Sequence, residues 1–320
     1  MIEIIKDYFM GWFNKANYLS ILNYSLIHIY LIIIIVLLSL LIVSVAVVYI
    51  TNMCKNNYDQ LKCVLKCIDG NDKDYMNFGY WDNDKMNLGE ANIELSDKLI
   101  NTLSNKGGKT LDVGCGYGEQ DIYWSSKYKM DIMAIDISEK QINVAKDKAG
   151  GNKINNLEFK QGSATSLPFE DDSYDKIVCL ESAFHYSPRV KFFEESNRVL
   201  KDESEMVIAD ITIKTNMYGV RPSILINFFK RLLSIPEENL ITKGDYIKQL
   251  EEVGYEVETT DITKNTFEPY FRYFYKNLKL PNAFLNFVFH FLGKTLIVPC
   301  LKDFPLEYTI YKCKKKLRKK

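Results

Sequence analysis

The chain has 320 residues, 47% of them hydrophobic, enough to bury the core of one large domain with appendages. Its formal net charge is zero, but residues 312–320 hold seven of the 41 basic residues and no acid. The remainder therefore carries 34 basic against 41 acidic residues, a net of −7, which excludes a nucleic-acid binder by bulk charge and leaves only the tail to seek phosphates. The seven cysteines (54, 63, 67, 115, 179, 300, 313) form no metal pattern and are odd in number. Free thiols in a reducing compartment are expected, with Cys115 and Cys179 buried.

Residues 1–28 read as an N-terminal segment whose Ile4, Ile5, Phe9, Trp12 and Phe13 suit a membrane interface. Residues 29–50 are nearly continuous apolar residues, about 33 Å as a helix, and predict a retained transmembrane span. Ser44-Val-Ala46 resembles a cleavage site, but the apolar run is too long for a signal peptide and Glu3 and Asp7 precede it. Lys6 and Lys15 lie before the span, and Lys55, Lys62 and Lys66 after it, which places the C-terminal side in the cytoplasm (at the endoplasmic reticulum in a eukaryote). Residues 51–73 read as a polar linker with no visible chemistry.

From Asp74 the pattern turns into α/β alternation. An aromatic segment, Tyr75-Met-Asn-Phe-Gly-Tyr-Trp81, precedes the first strand. Strand, glycine turn and helix then follow at 109–129, a second strand at 131–136, and a helix at 139–149 behind a Ser138/Gln141 capping box. Further strands are expected at 157–161, 176–180 and 206–211. A helix at 188–200 should start on Ser187 as N-cap and Pro188, and another at 243–253 runs from a Thr242 cap to a Gly254 stop. Strands at 256–262 and 306–312 would complete a seven-stranded, mostly parallel sheet. Residues 216–240 read as an amphipathic cover, and 266–301 as an aromatic insertion forming a lipophilic pocket, a membrane-dipping patch or a larger core. Residues 314–320 close the chain as a basic tail.

The chemistry centres on residues 109–119, Lys-Thr-Leu-Asp-Val-Gly-Cys-Gly-Tyr-Gly-Glu. A dinucleotide fingerprint needs G-x-G-x-x-G, and a phosphate loop needs Gly-Lys-Ser/Thr; this chain has G-x-G-x-G followed by Glu119. With Asp112 before the loop and Glu119 at its end, the ligand is expected to lack phosphates and even to be cationic. This stretch resembles the first motif of class I S-adenosylmethionine (SAM)-dependent methyltransferases. Asp136, 24 residues after Asp112, ends the second strand, where an acid accepts hydrogen bonds from ribose hydroxyls. Gly162-Ser-Ala-Thr-Ser-Leu-Pro-Phe169 resembles the family's G-D-A-x-x-L-P-F segment, with Ser163 where that family has an Asp. Glu181-Ser-Ala-Phe-His185 resembles the sterol, tocopherol and polyketide branch, and Tyr75–Trp81 resembles its Asn-x-Gly-x-Trp cover over the cofactor.

The resemblance covers about residues 74–313 and implies a Rossmann-like methyltransferase domain with SAM as cofactor and no metal. By matching position, Asp112, Gly114, Gly116 and Gly118 would hold the methionine part, Asp136 with Ile137 the ribose side, and Ser163 and Ala164 the adenine edge. The acceptor would be a small, lipophilic molecule methylated at oxygen or carbon. His185 is the candidate acid–base group, or else a hydrogen-bonding group only; Glu181 would orient its ring or hold a cationic intermediate. Two other readings stay open: a catalytically silent membrane adaptor on the same fold, and a dehydrogenase.

Overall fold

The computed structural model describes residues 73–152, 154–214, 233–278 and 305–317, with Ile226 and Lys230 between them. The expected interfacial segment 1–28, the span 29–50, nearly all of the linker, most of the 216–240 cover and residues 279–304 lie outside the described residues. Among those described, no helix is long and apolar enough to cross a membrane.

Helix α1 (Leu88–Asn101) opens the described fold, its first turn fixed by a capping box in which Asn87 and Glu90 satisfy each other's backbone N–H groups. Strand β1 (Lys109–Val113) leads through the glycine turn to α2 (Glu119–Tyr128), and β2 (Asp131–Asp136) to α3 (Glu139–Asn152). Then come β3 (Leu157–Gln161), β4 (Tyr174–Leu180), α4 (Arg189–Val199), β5 (Leu200–Ile213), α5 (Lys243–Val253), β6 (Tyr255–Asp261), α6 (Phe267–Asn277) and β7 (Leu306–Lys315). The sheet runs β3-β2-β1-β4-β5-β7-β6, with β7 antiparallel to both of its neighbours.

Alternation along the strands sends side chains to opposite faces. Val178, Leu180, Val207 and Ala209 pack with Leu95, Trp124 and Ile142 from α1, α2 and α3. Leu111, Ile177, Cys179, Met206 and Ile208 pack with Phe192, Phe193, Tyr246 and Leu250 from α4 and α5. Because both faces are covered, β4 and β5 carry continuous apolar runs, Ile177–Leu180 and Met206–Ala209. Cys115, Cys179 and Cys313 are buried free thiols.

Three of the boundaries that differ from expectation have a visible cause. Helix α4 begins at Arg189, because Pro188, with ψ 143°, stays extended as the N-cap. Strand β7 runs through Lys315, so Lys314 and Lys315 belong to the sheet and not to a basic tail. Lys315 is buried against Asp172 and Asp202, and Lys312 pairs with Glu205, so these charges are neutralised within the fold. Strand β5, expected at 206–211, extends from 200 to 213, held at its far end by antiparallel pairing with β7.

Candidate active site

The strand order reverses between β1 and β4, and the loops at their carboxyl ends, 114–118 and 181–186, open the crevice in which open α/β sheets bind ligands. Gly114, Gly116 and Gly118 all have left-handed φ, at 84°, 56° and 73°. Their reasons differ. A Cβ on Gly114 would lie 2.4 Å from Ser182 Oγ and 2.5 Å from the Tyr186 hydroxyl, so this glycine lets the two loops touch. One on Gly118 would meet the Phe159 ring at 2.6 Å and Ala145 at 2.9 Å. Above Gly116 the nearest atom is Met76 Sδ at 3.9 Å, so here the missing side chain leaves backbone open to a ligand.

Asp136 stands beside that opening. Its Oδ2 accepts the Gly116 N–H at 3.0 Å and its Oδ1 the Ser138 N–H at 2.9 Å, which orients the carboxylate and leaves lone pairs on both oxygens. Burial pushes its pKa up, against those two bonds. The next residue, Ile137, is 67% exposed, and Met76 is 37% exposed; both are large apolar side chains at the rim of the loop. Asp112 lies fully buried on β1, with Oδ2 accepting from Gln120 Nε2 at 3.1 Å. Gln120 also donates to the Cys115 carbonyl and so ties the loop to the strand beneath it.

Glu119, expected to face a cationic ligand, is spent elsewhere: it pairs with Lys148 at 2.6 Å and accepts the Asp74 N–H. The Ser163 hydroxyl accepts the Thr165 N–H at 3.3 Å and meets the Thr165 hydroxyl at 3.1 Å, so it shapes its own turn, while Ala164 is buried beside it. Spare acceptors on Asp136, open backbone at Gly116, an exposed apolar side chain at Ile137 and a buried carboxylate under the loop fit a ligand with hydroxyls, a flat apolar ring and a cation. SAM has all three.

Glu181 ends β4 in a left-handed conformation, φ 50°. Its Oε1 accepts the Phe78 N–H at 2.8 Å and the Tyr308 hydroxyl at 2.7 Å. Burial pushes its pKa up to about 8, against those bonds. Around it Phe78 packs edge-on against Phe267 and Tyr270, and Phe267 against Tyr308. His185 lies on the same loop, exposed, with Nδ1 3.4 Å from the Ser234 carbonyl. Neighbouring protein crowds the ring enough to lower its pKa. The expectation that Glu181 orients His185 is corrected here, since the carboxylate is joined to Phe78 and Tyr308 and the ring to Ser234.

The segment Tyr75–Trp81 links both sides. Met76 stands over Gly116, Phe78 binds Glu181, and Asn77 is held by Asn92 of α1 while the Trp81 indole N–H bonds the Phe78 carbonyl. Its aromatic packing and its place at the site are thus one arrangement. Met76 and Phe267 lie in the two aromatic segments expected near the site, whereas Gln120 and Tyr308 were missed from the sequence. Gln120 follows the loop directly and was findable; Tyr308 carries no local signal.

Strand order, glycine loop and strand-end acid together define a class I Rossmann-like methyltransferase fold. Residues 111–208 match the methyltransferase domain family. The chain is 34% identical over 213 residues to erythromycin 3''-O-methyltransferase of Saccharopolyspora erythraea, covering 64% of this chain and 70% of that one. In structure it resembles the [4+2]-cyclase SpnF, with a TM-score of 0.61 at 20% identity over 76% of this chain and 88% of that one. It also resembles geranyl diphosphate methyltransferase in complex with SAM, with a TM-score of 0.58 at 16% identity over 71% and 87%. At such identities these two likenesses speak for the fold alone. The chain belongs to the SAM-dependent methyltransferases, in the branch that includes enzymes acting on polyketides and other small molecules.

Proposed function

We propose that this enzyme is a membrane-anchored methyltransferase that moves the methyl group of SAM to a hydroxyl of a small, lipophilic acceptor. The observation that carries this reading is the single segment Tyr75–Trp81 touching both the open glycine and Glu181, which makes the cofactor and acceptor sides adjoin. When bound, SAM supplies a methyl carbon already activated by its sulfonium. Asp112, Gly114, Gly116 and Gly118 would hold the methionine part, Asp136 the ribose hydroxyls, and Ile137, Ser163 and Ala164 the adenine. The aromatic wall of Phe78, Phe267 and Tyr270 supports an apolar acceptor and excludes water.

An acceptor hydroxyl must lose its proton as the new O–C bond forms and the C–S bond breaks. The contact of His185 Nδ1 with the Ser234 carbonyl calls for a proton on Nδ1, which leaves Nε2 as the base. A lowered pKa keeps that ring neutral and ready near pH 7. Glu181, mostly protonated at that pH, holds the Phe78 cover against Tyr308. The anchor reading rests on residues 29–50, with the catalytic domain on the cytoplasmic face. A silent adaptor is not favoured, because the open Gly116 and the oriented Asp136 are both retained.

The test uses full-length protein in detergent: calorimetry with SAM, then transfer of a labelled methyl group to a panel of hydroxylated polyketide, sterol and isoprenoid acceptors. One-site binding and label in organic-soluble product are expected. Label only in water-soluble product would remove the lipophilic acceptor, and NADH binding without SAM binding would sink the reading. Release of the protein from membranes at high pH would remove the anchor.

A further inference from the structure

Asp112 on β1 and Asp121 in the first turn of α2 are both fully buried. Asp112 Oδ1 and both oxygens of Asp121 have no hydrogen-bond partner among the described residues. Trp124 Nε1 and Ser125 Oγ, buried on the next turn of α2, are without acceptors themselves, so they do not serve Asp121. Two ionised carboxylates here would face each other as acceptors with no donor between them, in a buried place. One proton resolves this, turning one carboxyl into a donor and leaving the other charged. Among the described residues, the titratable groups facing the pair are Asp136 from β2, Cys115 from the loop, Cys179 from β4, Tyr186 from the loop after β4 and Tyr75 from the aromatic segment, and none of these is a cation.

We propose that Asp121 is a positioning residue for cofactor binding: protonated at neutral pH, it donates a hydrogen bond to Asp112 and so keeps a single negative charge under the glycine loop, opposite the ammonium group of SAM. Burial raises Asp112 to about 6 and Asp121 well above the carboxylate range, the order the hydrogen bond requires. Acidification through about pH 6 then discharges Asp112 and weakens cofactor binding. This rests on the reading in which Asp112 faces the methionine part.

The experiment is calorimetric titration of the full chain with SAM between pH 5 and 8 for Asp121→Asn, Asp121→Leu and Asp112→Asn, with infrared spectra of each variant at pH 7. Asp121→Asn retains a donor and should bind within about threefold of the parent, with the same pH profile. Asp121→Leu should bind about tenfold more weakly at pH 7, with its acid limb moved up by about one pH unit. The parent should show protonated-carboxyl absorption at pH 7 from both Glu181 and Asp121, and Asp121→Asn should keep only the Glu181 part, which Glu181→Gln removes. Parental affinity and profile in Asp121→Leu, a tenfold loss in Asp121→Asn, or carboxyl absorption undiminished by Asp121→Asn would each overturn the proposal. If Asp121→Leu does not fold, the Asp121→Asn affinity and spectrum decide alone. Unchanged binding in Asp112→Asn would instead overturn the placement of Asp112 at the cofactor.

Discussion

On the cofactor side of the crevice the surface is made of backbone, with three left-handed glycines and a carboxylate held by two N–H groups. On the other side, where the acceptor is proposed to lie, aromatic side chains gather around one half-buried glutamate. Backbone suits a ligand that never changes, because its geometry is set by a few adjacent residues and cannot be repacked. Side chains from scattered elements suit a ligand that differs between relatives, because each can be exchanged while the sheet stays the same.

The largest effects should fall on the backbone side, and they should split the glycines by role. Gly114→Ala combines left-handed strain with a methyl group inside contact distance of Ser182, roughly 2–5 kcal/mol of stability. Gly116→Ala meets open space and should cost only about 1–2 kcal/mol in denaturant unfolding while abolishing SAM binding. Equal losses of stability in the two variants would erase the distinction between packing and access.

Next, Asp136→Ala should weaken SAM binding by about 2–4 kcal/mol through the loss of charge-assisted bonds to the ribose. Unchanged affinity by calorimetry removes Asp136 from the site. Crossing to the acceptor side, His185→Ala should lower turnover roughly a hundredfold with SAM affinity intact. A loss under about tenfold, with a flat pH–rate profile between pH 6 and 8, would reduce His185 to a positioning role.

Last, and smallest when read over a single pH unit, is an effect of pH on stability through Glu181. Its pKa rises on folding from 4.5 to about 8, so between those values the native chain holds a proton that the unfolded chain has released. Stability should therefore fall as pH rises through that window, by up to about 1.4 kcal/mol per pH unit, and level off above it. Glu181→Gln, measured by unfolding across pH 5–9, should lose that slope and be the more stable form at pH 9. A slope identical to the parent's would mean that the carboxyl is already ionised behind its aromatic wall.

Much of the cofactor side was legible in the chain. Strand β3 and helix α5 fall where their patterns put them, α5 starting on the Thr242 cap and stopping at left-handed Gly254. The glycine loop and Asp136 stand together because strand, turn and helix each obey rules that act over a few residues. Glu119 was misread as a ligand group, since its partner Lys148 comes from another helix. The partners of Glu181 lie 103 and 127 residues away, and only the closing of the sheet brings Phe78 and Tyr308 to it. Lys315, part of a basic run in the sequence, became a buried ion-paired strand residue for the same reason. A sequence displays backbone conformation directly, because sterics and capping are local; which distant side chains share a buried site is decided by packing of the whole sheet.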